Sequence, residues 1–205
     1  MRLAVFGGTF DPIHFGHLRI AEEARDRMGF ERILFVPNYV SPFKTGQSVT
    51  SGEQRAEMVE RAIRDNPAFA VSRWEVEREK PSFTIETLRA IRSQYVRADL
   101  YFLAGMDAVR DLPKWHEPEE LLSLAQFVTA TRPGVDVRDV LDALPDEWEA
   151  RITFMEMPGL DISATDLRLR VAEGRSIRYL LPPAVEEYIE AHGLYGRPNR
   201  ANKGV

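Results

Sequence analysis

The 205-residue chain contains no cysteine. It therefore forms no disulfide, holds no metal through thiolates and uses no cysteine nucleophile. It also lacks the block of lysine and arginine that a nucleic-acid face requires, and its formal net charge is −5. The basic residues stand singly among acidic ones, as in residues 22–27, which is typical of a solvated helix surface. These absences argue against a nucleic-acid partner and leave a small anionic substrate open.

Long hydrophobic runs are missing as well. No apolar stretch approaches the roughly 20 residues that span a bilayer, and the apolar run at the N-terminus is too soon broken by glycine for a signal peptide. We therefore expect a cytoplasmic protein with no membrane partner. The composition, 44% hydrophobic and 29% charged, is that of an ordinary globular protein. We expect one domain over residues 1–195 and a flexible tail over residues 196–205.

Short apolar runs alternate with segments of helical spacing. Strands are predicted at residues 3–6, 33–36, 68–76, 100–104, 127–130 and 152–155. Helices are predicted at residues 18–28, between Ser51 and Pro67, and at residues 84–95, 136–144, 164–173 and 182–192, with a loop over residues 38–50. This alternation predicts an α/β fold, a single doubly wound parallel sheet with helices on both faces.

The most unusual residues follow the predicted strands. They are Gly7, Gly8, Thr9, Phe10, His14, Gly16 and His17 after the first strand, and Gly105, Asp107, Arg132, Ser163, Thr165 and Arg168 after three later ones. Ligands of an open parallel sheet bind at the carboxyl ends of its strands. We therefore expect these residues to converge at one edge of the sheet.

Residues 7–17, the glycine–histidine segment, carry the clearest chemistry. Gly7 and Gly8 allow a tight turn and a close approach of the backbone to a ligand. Backbone N–H groups at the helix start that follows attract anions. His14 and His17 stand three residues apart, so both rings can face one side and donate hydrogen bonds to phosphate oxygens. The segment is neither a dinucleotide fingerprint nor a P-loop, but it predicts a phosphate site.

The run Gly-Gly-Thr-Phe-Asp-Pro-Ile-His-Phe-Gly-His-Leu resembles the H-x-G-H signature of the nucleotidyltransferase superfamily, in the longer form of the bacterial nicotinate-mononucleotide adenylyltransferases. Residues 41–44, 82–88, 105–115, 132–134 and 162–168 are similar to further motifs of that family, and the resemblance extends from Leu3 to Tyr195. It implies a Rossmann-like nucleotidyltransferase fold. It also implies adenylyl transfer from ATP to nicotinate mononucleotide, giving nicotinate adenine dinucleotide and pyrophosphate in NAD biosynthesis.

The same resemblance implies three overlapping groups of site residues. The catalytic residues, which would stabilise charge on the phosphates, are His14, His17, Lys44 and Arg168. ATP would contact Gly7, Gly8, Thr9, Phe10, His14, Gly16, His17, Gly105, Asp107, Ser163, Thr165 and Arg168. The pyridine nucleotide would contact Lys44, Thr84, Met106, Trp115, His116 and Arg132, with Trp115 stacking on the nicotinate ring. Mg²⁺ would arrive bound to ATP, since no carboxylate cluster in the sequence forms a metal site of its own.

Four positions depart from the family pattern. Phe43 stands where histidine is usual, Phe83 and His116 where tyrosine is usual, and Ala164 where serine is usual. These departures leave two alternatives open. One is the same fold acting on phosphopantetheine or nicotinamide mononucleotide, and the other is a nucleotide-binding sensor without catalysis. A homo-oligomer is compatible with the sequence.

Overall fold

The structure, a computed structural model, describes residues 1–39, 50–132 and 134–196. Its strands are β1 (Arg2–Gly8), β2 (Arg32–Pro37), β3 (Phe69–Val71), β4 (Asp99–Ala104), β5 (Gln126–Thr131) and β6 (Ile152–Glu156). They form one sheet in the order β3-β2-β1-β4-β5-β6, and every neighbouring pair is parallel. The predicted α/β fold is therefore confirmed. Lys44, most of the predicted loop and residues 197–205 of the predicted tail lie outside the described residues.

Helices cover both faces of this sheet. The face that carries Ala4 and Phe6 packs against α1 (Phe15–Met28), α2 (Gly52–Ile63), α8 (Ala164–Ala172) and α9 (Pro183–Ala191). The face that carries Leu3 and Val5 packs against α4 (Thr84–Gln94), α5 (Met106–Arg110), α6 (Pro118–Leu124) and α7 (Arg138–Leu141). A short helix α3 (Trp74–Glu77) joins β3 to α4. None of the helices described is long and apolar enough to cross a membrane.

Local signals explain where the first two helices begin and end. Helix α1 ends at Gly29, which adopts φ 63°, a left-handed conformation that glycine tolerates without strain. Helix α2 begins after Ser51, whose hydroxyl accepts a hydrogen bond from the N–H of Gln54 at 3.2 Å. Glycine after a helix and serine before one are the residue types that favour these ends.

Short elements account for the differences from the prediction. Residues 68–76 hold only the three-residue edge strand β3, and the chain then turns into α3 to bury Val76. The helix predicted at residues 136–144 is shortened to α7, and α5 and α6 were not predicted because helices of fewer than two turns show little periodicity. Thr84 does not cap α4 but is its first residue. The cap is Phe83, whose N–H donates to Oε2 of Glu86 at 3.0 Å.

Gly8, at the end of β1, generates a stability prediction. A Cβ at Gly8 would lie 2.8 Å from Cζ of the buried Phe10 ring. Because overpacking a rigid aromatic ring typically costs 1–3 kcal/mol, we expect Gly8→Ala to lower the free energy of unfolding by about that amount in urea denaturation. Gly105→Ala is the control, since a Cβ there meets no atom within 4 Å. Equal stability of the two variants would contradict this steric account.

Candidate functional site

A cavity of about 490 Å³ opens at the carboxyl ends of β1, β2 and β4. Gly8 and Thr9 line it after β1, Asn38 after β2 and Gly105 after β4, and Trp115 lines it farther along the chain. The chain runs outward from β1 to β2 and β3 and then crosses back to β4 on the other side of β1, so the cavity lies at the switch point where doubly wound sheets bind ligands. It therefore joins the glycine–histidine segment to an aromatic region.

His14 and His17 are oriented by the backbone at the start of α1. Nδ1 of His14 accepts a hydrogen bond from the N–H of Gly16 at 3.1 Å, and Nδ1 of His17 accepts one from the N–H of His14 at 3.3 Å. The two rings stack with their centroids 3.8 Å apart. Because each Nδ1 is an acceptor, each neutral ring carries its proton on Nε2. The turn thus supplies two adjacent Nε2–H donors.

Burial keeps both imidazoles neutral. It lowers the pKa of His14 to about 4 and that of His17 to about 3, and proximity to His14 lowers the pKa of His17 further. At neutral pH the pair therefore acts through hydrogen bonds and not through positive charge. A ring with its proton on Nε2 donates from that atom, so this tautomer does not suit a general base acting through Nε2.

Phe10 was expected to contact ATP, but the structure places its side chain in the core. Its ring packs against Phe6 and Phe35, with centroids 5.5 and 5.8 Å away, and meets His17 edge-on at 5.1 Å. Only the backbone of Phe10 is left to approach a ligand. The ring instead supports the imidazole of His17 from behind.

The start of α8 lies against the glycine–histidine segment. The carbonyl oxygen of Ile162 is 3.6 Å from the position that a Cβ on Gly16 would take. Arg168 donates from Nη1 to the carbonyl oxygen of Asp11 at 2.6 Å and from Nη2 to Oγ1 of Thr165 at 3.3 Å. The structure thus brings a guanidinium and a hydroxyl beside the two imidazoles. Ser163, predicted at the same place, caps α8 by accepting from the N–H of Asp166 at 3.1 Å.

The other end of the cavity is aromatic. Trp115 packs edge-on against Phe102 and Phe127, with centroids 6.1 and 6.3 Å away. The rings of His116 and Phe83 lie with their centroids 4.6 Å apart and their planes tilted by 33°, and both residues line the cavity. Thr84 lines it as well. Three residues predicted to bind the pyridine nucleotide, Thr84, Trp115 and His116, are therefore together.

In the glycine–histidine segment the cavity lining stops at Thr9. It does not include Phe10, His14, Gly16 or His17, nor Ser163, Thr165 or Arg168 at the start of α8. Three further predicted residues do not line it either. The side chain of Asp107 is 95% exposed and lies 3.7 Å from Arg110. Arg132 is also exposed and lies 3.6 Å from Asp161, while Met106 packs against the core. These residues follow β4 and β5 at the rim of the sheet edge, where parallel strands end but the cavity does not extend. The binding roles assigned to them stay predictions.

Sequence analysis missed a buried pair in the cavity wall, Glu75 and Thr87. Oγ1 of Thr87 donates to Oε1 of Glu75 at 2.5 Å, and Glu75 is only 8% exposed. Burial raises the pKa of this carboxyl to about 7. Thr87 could have been found, because it lies three residues after Thr84 on the same face of α4. Helix α3 is too short to give Glu75 any periodic signal.

Comparisons with known proteins agree with this geometry. Residues 5–170 match a family described as cytidylyltransferase-like. A "Probable nicotinate-nucleotide adenylyltransferase" of Roseiflexus castenholzii is 48% identical over 196 residues, covering 95% of this chain and 98% of that protein. One of Desulfitobacterium hafniense with the same description is 44% identical over 197 residues, covering 95% of each chain.

A solved structure shares the fold. Plasmodium falciparum nicotinic acid mononucleotide adenylyltransferase complexed with NaAD aligns with a TM-score of 0.76 at 20% sequence identity. The alignment covers 95% of this chain and 97% of that one. The strand order and the helices on both faces are therefore those of a known nucleotidyltransferase fold.

Glu75 generates a prediction about pH. Its pKa is raised from 4.5 to about 7, so the folded chain binds this proton more tightly than the unfolded chain. The resulting stabilisation is complete below pH 4.5 and is lost as the pH rises through 7. We expect Glu75→Gln to abolish this loss, so that urea denaturation between pH 5 and 8 shows the variant gaining up to about 3 kcal/mol relative to the unchanged protein.

Two controls separate this effect from other titrations. His14 and His17 have lowered pKa values, so they destabilise the fold as the pH falls below 6.5, but they do so equally in both proteins and cancel in the difference. Glu77→Gln removes an exposed carboxyl from the same helix and is the matched control for the change of charge. Parallel curves for the unchanged protein and Glu75→Gln would show that Glu75 titrates normally.

Proposed function

Because the chain belongs to the cytidylyltransferase-like family, and within it to the nicotinate-nucleotide adenylyltransferases, we propose that it transfers the adenylyl group of ATP to nicotinate mononucleotide. The products are nicotinate adenine dinucleotide and pyrophosphate, in a step of NAD biosynthesis. One observation carries the proposal beyond family membership. A single cavity is lined both by Gly8 and Thr9 of the glycine–histidine segment and by Trp115, so two ligands can meet in it.

The start of α1, beyond the cavity wall at Thr9, and the aromatic end of the cavity suit the two substrates. The phosphates of ATP bind at the start of α1, where backbone N–H groups, the Nε2–H groups of His14 and His17 and the guanidinium of Arg168 are available. The pyridine ring stacks on the flat face of Trp115. This arrangement places the phosphate of the mononucleotide between its own ring and the triphosphate.

Transfer is an in-line displacement. An oxygen of the mononucleotide 5′-phosphate attacks the α-phosphorus of ATP, a new P–O bond forms, and the bond to the pyrophosphate oxygen breaks. The attacking phosphate is already anionic at neutral pH and needs no general base. Catalysis is then positioning together with stabilisation of charge on the phosphates. His14 and His17 donate to the α-phosphate, and Arg168 and Lys44 stabilise the departing pyrophosphate.

Mg²⁺ enters with the nucleotide, as the MgATP substrate. Within residues 1–39, 50–132 and 134–196, no three His, Asp or Glu side chains are grouped as a metal site. In that complex the triphosphate would supply ligands to the ion, and water would supply others. The protein contributes the hydrogen bonds and guanidinium charge that orient the complex.

Pyrophosphate release with different acceptors tests the proposal. With MgATP, we expect nicotinate mononucleotide to release pyrophosphate faster than nicotinamide mononucleotide or phosphopantetheine. Faster release with one of the other acceptors would assign the same fold a different substrate. Binding of ATP with no release from any acceptor would instead indicate a nucleotide-binding sensor.

His17 provides the mutational test. We expect His17→Ala to lower kcat by roughly 10²–10³-fold, the scale seen when one preorganised donor to a transition state is removed, while circular dichroism shows an intact fold. His192→Ala is the matched control, because His192 stacks on Tyr188 at the end of α9, away from the cavity. Turnover of His17→Ala close to that of the control would overturn the role given to His17.

A further inference from the structure

Arg55 is a fully buried cation that lies outside the groups assigned above to the substrates. It is in the first half of α2, on the inner face that Met58 and Val59 continue, and its exposure is 0%. Arginine is almost never buried this completely unless its charge is paired or fully hydrogen-bonded. The N–H donors of its guanidinium must therefore find acceptors inside the fold.

All five N–H donors of the guanidinium are used. Nε donates to the carbonyl oxygen of Thr50 at 2.9 Å, and Nη1 donates to the carbonyl oxygen of Thr9 at 2.6 Å and to Oδ1 of Asn38 at 3.2 Å. Nη2 donates to the carbonyl oxygens of Asn38 at 2.5 Å and Tyr39 at 2.7 Å. Only a planar fork of five donors can reach these acceptors together, and lysine has three donors on one atom.

These acceptors belong to three separate stretches of chain. Thr9 follows β1 in the glycine–histidine segment, Asn38 and Tyr39 follow β2, and Thr50 precedes α2. Thr9 and Asn38 both line the cavity. They also contact each other, because Nδ2 of Asn38 lies 3.5 Å from Oγ1 of Thr9. The backbone N–H of Asn38 donates to the carbonyl oxygen of Gly8, the residue before Thr9, at 3.1 Å. Arg55 thus forms hydrogen bonds to two walls of the cavity without lining the cavity itself.

The same hydrogen-bond network extends to the residues that we propose bind the phosphates of ATP. The N–H of Thr50 donates to Oδ2 of Asp11 at 3.3 Å, and the carbonyl oxygen of Asp11 accepts from Arg168 at 2.6 Å. A displacement of Thr9 or Thr50 would therefore be transmitted to the guanidinium that we place at the triphosphate. Arg55 itself does not line the cavity.

We propose that Arg55 is a positioning residue for the transfer reaction, which sets the alignment of the two substrates by joining Thr9 to Asn38. This inference rests on the proposed function. Arg55 itself contacts neither substrate, so we expect its replacement to change KM less than kcat. The alignment of the attacking oxygen with the α-phosphorus is lost, and a misplacement of about 1 Å costs about 10²-fold in rate. The effect therefore falls on kcat.

Arg55→Lys tests this role, with Val59→Ala as the matched control. Lysine keeps the charge and most of the stem but loses the fork. Val59, one turn later on the same helix and 0% exposed, leaves a cavity in the core when truncated. Its side chain has no polar atom and so forms none of these hydrogen bonds. We expect both variants to lower the melting temperature. Only Arg55→Lys should lower kcat, by roughly 10–100-fold, with KM for MgATP and nicotinate mononucleotide within about threefold of the unchanged protein.

Hydrogen exchange gives a readout that does not depend on turnover. The N–H of Asn38 should exchange faster in Arg55→Lys than in Val59→Ala, because its bond to Gly8 depends on the position of the turn. If the unchanged protein has no transferase activity, the proposed function fails. The difference in Asn38 N–H exchange between the two variants then decides by itself whether Arg55 joins Thr9 to Asn38. Equal exchange in both variants, or an equal fall in kcat, would show that Arg55 serves stability only.

Asn38→Ala keeps the inference testable if Arg55→Lys does not fold. Asn38 is partly exposed, and its side chain links Arg55 to Thr9. Removing that side chain should also lower kcat, by roughly 3–10-fold. The effect should be smaller than that of Arg55→Lys because the backbone hydrogen bonds to Arg55 remain. Turnover equal to that of the unchanged protein would overturn the inference.

Discussion

The hydrogen bonds from backbone N–H groups to the two imidazoles are the constraint on which the phosphate end of the site depends. They cap α1, hold the rings of His14 and His17 side by side and leave the proton of each ring on Nε2. Gly16 is required in this turn, because a Cβ there would lie 2.9 Å from the His14 ring. The chain before α8 lies against the same turn, and Arg168 of α8 donates to the carbonyl oxygen of Asp11. One turn therefore sets the donors, their tautomer and the nearest guanidinium.

Asp11 connects this turn to the end of the described chain. Its Oδ1 accepts from the hydroxyl of Tyr195 at 2.6 Å, its Oδ2 from the N–H of Thr50, and its carbonyl oxygen from Arg168. Burial and the nearby carboxylate raise the pKa of Tyr195 far above its ordinary value, so the phenol stays a donor. With the imidazoles neutral, the charges next to this turn reside on Asp11, Arg55 and Arg168, which the fold already holds by hydrogen bonds. Such charges need little rearrangement when an anionic substrate binds.

Periodicity and caps were enough to predict most of the architecture, because long strands and helices repeat their apolar residues. They were not enough for α3, α5 and α6, which are too short to repeat a pattern. Arg55 did have a signal, since it precedes Met58 and Val59 by three and four residues on the inner face of α2. Glu75 had none, as its burial depends on contacts between elements distant in sequence. The motif that contains Phe10 indicated where its backbone lies but not that its ring turns inward.

Phe43 lies outside the described residues, and the other three departures from the family pattern are absorbed locally. This favours a catalyst over a sensor. Phe83 and His116, both at positions where tyrosine is usual, contact each other, so the aromatic wall of the cavity is kept. Nε2 of His116 lies 3.0 Å from Oε1 of Glu117, which gives this wall a polar edge that Phe83 lacks. Ala164 is the first residue of α8, where Ser163 already provides the cap and alanine favours the helix. None of these three changes touches the imidazoles or Arg168. A sensor would have no need of donors oriented for a reacting phosphate, and those donors are the part of the site that the chain has kept intact.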